Sequence, residues 1–168
     1  MNNSEIISNA LRFIVLILVQ VLLLNNINFM GYINPYLYII FILIYPLDGD
    51  RPLLILLSFL LGLSIDLFGD SGGVHAAASV FIAYIRPLLL KFSFGVSYEY
   101  NMVKINKAPL MGRITYITFM VVLHHFVLFL LEIFSLSHIL LLLKSTLFSS
   151  IFSIVLIFCT LLLFGRKN

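Results

Sequence analysis

Long apolar runs separated by short polar interruptions dominate this chain, and their lengths predict its elements. Six runs stand out, at about 11–27, 32–47, 52–68, 74–90, 114–134 and 144–164. A membrane-spanning helix takes about 20 apolar residues, with a lower range near 17. The first run is broken only by Gln20, a candidate for an interhelical hydrogen bond. Asn25-Asn26-Ile27-Asn28 after it offers no small-residue cleavage site, so the run reads as an uncleaved span. The second is bracketed by Pro35 and Pro46 and is short enough for either a full crossing or a tilted, re-entrant path. Pro52 suits the first turn of the third helix. The fourth follows Gly69-Asp70-Ser71-Gly72-Gly73, where Asp70 or Ser71 is placed to cap the new helix. The last apolar stretch begins at Ile139 and exceeds what a bilayer requires. A span over 144–164 leaves Lys144 at the interface, where its amine can snorkel.

The predicted fold is therefore a single all-α integral membrane domain of about six transmembrane helices. One connection is long, the loop 91–113. From Phe92 to Met102 it alternates Phe92, Phe94, Val96, Tyr98, Tyr100 and Met102 with polar or small residues. Period two predicts an extended segment with one apolar face, lying on the membrane or offering a strand-like docking edge.

Composition sharpens this picture. Of 168 residues, 62% are hydrophobic and 10% charged, and the mean hydropathy is +1.14. Soluble domains carry roughly 45–50% apolar and about 25% charged residues, so lipid is the solvent for most of this chain. The single Cys159 excludes an intrachain disulfide. Basic residues are scattered between apolar runs and form no patch for nucleic acid. Their placement instead gives an orientation. With six spans and the N-terminus inside, nine of ten Lys and Arg residues (Arg12, Arg51, Arg86, Lys91, Lys104, Lys107, Arg113, Arg166 and Lys167) fall on the cytoplasmic side, Lys144 alone opposite. Both termini are then cytoplasmic.

Few residues remain for chemistry. Ser58, Gly62 and Asp66 are spaced by four and share one face of the third helix, a small and polar stripe. A carboxylate at membrane depth should face protein. Asp66 therefore reads as a helix–helix lock or turn anchor, or alternatively as a proton or ligand site, with His75 across the turn as its partner. Ala76, Ala77, Ala78, Ser79 and Ala83 give the fourth helix a small face, predicting a tightly packed pair of spans three and four. His124 and His125 point about 100° apart on a helix and are poorly placed to share a metal, so interhelical hydrogen bonds are expected of them. Glu132 and Lys144 are placed for an interfacial ion pair. No paired carboxylates, no nucleophile beside a base and no phosphate-cradling loop with its Lys occur, so neither an enzyme nor a resident cofactor is expected.

From Gly62 to Tyr84 a pattern emerges: G-L-S-I-D, a glycine-bearing turn, G-V-H-A-A-A, then A-Y. It resembles the rod shape-determining protein MreD family, the matching positions being Gly62, Asp66, Gly73, Ala76, Ala83 and Tyr84. The resemblance implies a non-enzymatic scaffold of the bacterial elongation complex in the inner membrane, directing lateral peptidoglycan synthesis and cell shape. The implied partners are the bitopic MreC, then MreB, the SEDS glycosyltransferase with its class B transpeptidase, membrane lipid, and a second copy of the chain. The MreC helix would seat on the small-residue face of spans three and four or in the groove beside it. The family is also similar in architecture to the S-components of energy-coupling-factor transporters. That likeness keeps open a small-molecule-binding transporter subunit, and Asp66 with His124 or His125 keeps open a proton-coupled carrier.

Overall fold

The structure, a computed structural model, describes residues 3–27, 29, 31, 33–47, 49–95, 108–134 and 138–164. Of the alternating segment Phe92–Met102, Phe92 to Phe94 continue the helix that begins at Val74 instead of forming an extended strand, and residues 96–102 lie outside the described ones. Five helices are long and apolar enough to cross a membrane: α1 (Asn3–Leu22, with a 3-10 turn at Leu24–Asn26), α3 (Arg51–Gly69), α4 (Val74–Phe94), α5 (Leu110–Ile133) and α6 (Ile139–Phe164). The helix α2 (Ile40–Ile44) has five residues. The fold is thus an all-α membrane bundle.

Packing follows chain order. The α3–α4 pair makes the most extensive contact, then α4–α5 and α5–α6, while α1 rests on α3 and α2. The α3–α4 contact is close because Gly62 lies against the backbone of α4. A Cβ added there would stand 2.5 Å from Ala76 Cα and 2.5 Å from the His75 carbonyl oxygen. The stripe read from the sequence faces this contact, with Ser58, Gly62, Asp66, Ala76 and Ala83 all buried.

The second apolar run departs from a regular span. Pro35 and Pro46 confine helix between them, and Tyr45, just before Pro46, is extended at φ −53, ψ 139, as the residue before a proline must be. What forms is an irregular stretch, one helical turn, and a tight turn. It nevertheless runs lengthwise inside the bundle. Tyr38 meets His75 near the start of α4, and Tyr45 meets Arg86, eleven residues or about 16 Å further along that helix. Irregular backbone at membrane depth survives only when protein surrounds it. Tyr38, Ile39 and Ile42 are fully buried here, and Ile40, Phe41 and Leu43 nearly so.

Its backbone groups find partners on the surrounding helices. Gln20 of α1 donates from Nε2 to the Pro35 carbonyl at 3.1 Å and accepts the Leu37 N–H on Oε1 at 2.8 Å. From α6, Ser149 Oγ accepts the Asn34 N–H at 3.3 Å, and Ser153 Oγ accepts the Tyr36 N–H at 2.8 Å. At the opposite end, Arg86 of α4 donates to the Leu43 and Tyr45 carbonyls. Tyr116 of α5 also donates to the Leu43 carbonyl, at 3.2 Å. Gln20 thus bonds to the second crossing rather than from helix to helix. Arg86, counted among the cytoplasmic cations, is 4% exposed and sits inside the bundle. No ion pair joins Glu132 to Lys144 among the described residues: both are exposed, and water competes with such a pair.

Two substitutions test this packing by thermal unfolding in mild detergent. Gly62→Ala should destabilise the bundle by about 1–3 kcal/mol, because backbone on α4 must move to admit the methyl. Gln20→Leu should cost roughly 2–4 kcal/mol by stranding one N–H and one carbonyl, and the Leu37 amide should exchange faster. Unchanged melting of both variants would contradict the described contacts.

Candidate functional site

Polar side chains gather at two places along the second crossing, one toward each end of the bundle. At the first, α3 ends and α4 begins. Asp70 takes a left-handed conformation, φ 49, as C-cap of α3, a position that Asp tolerates better than most residues. Gly73, φ 94, precedes α4 and offers it no side-chain cap. The cap arrives from the neighbouring helix. Asp66 Oδ1 accepts the His75 N–H at 3.0 Å, and Oδ2 accepts the Ala76 N–H at 2.8 Å. Ser71 Oγ donates to Oδ1 at 2.6 Å. Neither Asp70 nor Ser71 caps α4 directly: Asp70 is the C-cap of α3, Gly73 holds the N-cap position of α4, and Ser71 bonds to Asp66 instead. A carboxylate at a helix N-terminus satisfies orphan donors and meets the positive end of the dipole. Asp66 therefore welds the α3–α4 hairpin.

His75 contributes its backbone to Asp66 and its ring elsewhere. Its Nδ1 lies 2.9 Å from Tyr38 Oη, and the same hydroxyl lies 2.8 Å from His124 Nε2. One hydroxyl carries one proton, so it donates to one ring and accepts from the other. His124 Nδ1 is buried without a partner. The arrangement that strands no N–H on that side has His124 Nε2–H donating to Tyr38 and Tyr38 donating to His75 Nδ1. His125 belongs to a separate chain of hydrogen bonds. Its Nδ1 lies 2.8 Å from the Val121 carbonyl and must donate there. Its Nε2 then accepts from Ser153 Oγ at 3.1 Å in a neutral ring, while that oxygen accepts the Tyr36 N–H. Tyr36 packs against both His75 and His125, with ring centroids 5.1 and 5.3 Å away. The adjacent histidines thus serve different partners, and among the described residues no group of three His, Cys, Asp or Glu could hold a metal.

At the other end, Arg86 Nε donates to Tyr116 Oη at 3.0 Å, and its terminal nitrogen reaches the carbonyls that close α2. A cation at a helix C-terminus complements the dipole as Asp66 does at an N-terminus. Of the sequence-derived positions, Ser58 donates to the Leu54 carbonyl of its own helix at 2.7 Å, and Ala83 is wholly buried. Tyr84 faces outward at 63% exposure. Tyr38, Tyr116, Ser149 and Ser153 escaped the sequence reading. The last two lie four apart on one helix face, which was their only signal.

Replacing Asp66 separates charge from capping. Asp66→Leu, which loses all three bonds, should cost roughly 2–4 kcal/mol of stability in detergent. Asp66→Asn keeps an acceptor and should cost about half as much. Equal melting of wild type and Asp66→Leu would remove the carboxylate from the architecture.

Compared with known protein families, with curated proteins and with solved structures, the chain matches none.

Proposed function

We propose that this chain is a non-enzymatic membrane scaffold of the MreD type, acting in the inner membrane of a bacterium with both termini cytoplasmic. In this reading it binds MreC and helps direct lateral peptidoglycan synthesis. The observation that carries the reading is how the polar residues are used. Gln20, Asp66, Arg86, Tyr116, Ser149 and Ser153 each bond to backbone of their own chain. A carrier or a small-molecule subunit needs polar groups converging on a vacant pocket; here they hold the fold rigid instead.

The seat of a partner helix also changes. Gly62, Ala76 and Ala83 are buried between α3 and α4 or in the core behind them, so the small-residue face is not free to receive MreC. The least embedded helix is α1, with Leu11, Ile14, Leu18 and Leu22 all at least half exposed. It packs on α3 and α2, while α6 packs on α5, and the side of the bundle bearing α1 has room for another helix. Association there would rest on close packing, since lipid competes equally for apolar contact.

Affinity purification of the full chain in mild detergent, with mass spectrometry of proteins and small molecules, tests the reading. An equimolar bitopic partner with a periplasmic domain is expected, and added bulk on the open face of α1, as in Ile14→Trp, should reduce its recovery. A stoichiometric small molecule with an ATPase partner would overturn it.

A further inference from the structure

One surface feature is left unused by the scaffold: a groove of about 630 Å³ on the outer side of the α3–α4 hairpin. Ile55, Leu56 and Phe59 of α3 and Val80 of α4 wall it, and Arg51 and Tyr84 stand at one end. The helices are pinned together near the Asp66 turn, where Gly62 meets Ala76. The groove lies beyond that pin, and Pro87 interrupts the hydrogen-bond ladder of α4 one turn past Tyr84.

The Arg51 side chain is exposed but held. It donates to the Tyr84 carbonyl at 3.0 Å, and its guanidinium lies 5.5 Å from the centroid of the Tyr84 ring. Among the described residues it has no carboxylate partner; Asp50, its neighbour in sequence, forms no ion pair with it. Arg51 also opens a 19-residue apolar helix, which puts the guanidinium at the bilayer–water boundary, at the level of the phosphates. From there the walls of the groove descend eight residues of α3, about 12 Å, into hydrocarbon.

We infer that this groove is a binding site for an anionic phospholipid, its phosphate on the Arg51 guanidinium and one acyl chain along Ile55, Leu56, Phe59 and Val80. Each half of the ligand meets matching chemistry. The fixed cation has donors left for a phosphate, and the apolar walls accept a flexible chain. A partner's transmembrane helix fits less well, because it would cover the guanidinium with apolar side chains and leave a charge without a counter-ion. The site is independent of the scaffold reading, which places its partner on α1.

Native mass spectrometry of the full chain in mild detergent tests the inference, with phosphatidylglycerol and phosphatidylcholine of identical acyl chains as probes. One phosphatidylglycerol should bind about fivefold more tightly than phosphatidylcholine, whose choline cancels the charge of its phosphate, the advantage expected of a single basic residue near a net anionic headgroup. Arg51→Gln should abolish that preference, and Arg12→Gln, an exposed arginine on α1, should leave it intact. Leu56→Trp fills the groove without touching the cation and should weaken both lipids. Equal binding of the two lipids by the wild type overturns the proposal, as does a preference surviving Arg51→Gln. Displacement of the lipid by millimolar inorganic phosphate, or by a copurified protein helix cross-linked to residue 56, overturns it as well.

Discussion

An unpaired backbone amide cannot remain in hydrocarbon, and the second crossing of this bundle carries several that no regular helix satisfies. Everything distinctive in the core answers that constraint. Between Asn34 and Tyr45 the chain is too broken by its prolines to bond to itself throughout, so α1, α4, α5 and α6 each send in a side chain. Each such group left unpaired would cost several kcal/mol in lipid. The long helices therefore act as more than walls. They supply the hydrogen bonds that a sixth helix would have supplied for itself, and the crossing in turn gives them a common partner at the centre.

The same logic explains the two buried charges. A lone carboxylate or guanidinium inside a membrane bundle is costly unless its lone pairs and protons are met. Asp66 meets the free N–H groups at the head of α4, and Arg86 meets the free carbonyls at the tail of α2. Each is met by hydrogen bonds: Asp66 accepts three, and Arg86 donates to Tyr116 and to two carbonyls. The two charges sit toward opposite ends of the bundle and fix different joints: one closes the α3–α4 hairpin, the other ties the second crossing to α4 and α5.

How much of this was legible in the sequence depended on range. Apolar run length found all five long helices, since each is decided by its own composition. Spacing by four found the Ser58–Gly62–Asp66 face, because neighbours on one helix are a local property. The second run was harder. Its apolar count suits a crossing, and its contacts run along α4 from His75 to Arg86, but its internal form depends on acceptors 115 and 117 residues away in Ser149 and Ser153. Nothing local marks a serine in an apolar helix as a backbone partner for a distant stretch of chain. Arg86 misled for a related reason. A cation near a predicted span end counts toward topology whether it reaches water or turns inward, and only the position of Tyr45 and Tyr116 decides which.

The histidines show how residue type alone leaves the partners of a buried ring open. Three of them gather beside two tyrosines, and their donors and acceptors fall into two separate chains. Val121 and Ser153 account for both nitrogens of His125, so that ring ends in the backbone of its own helix. Tyr38 joins His75 to His124, and beyond His124 the next nitrogen is buried with no partner. These hydrogen bonds and ring contacts hold Tyr36 and Tyr38 against α4, α5 and α6. The start of the second crossing is thereby positioned, and with it the amides that Gln20 and Ser153 must reach.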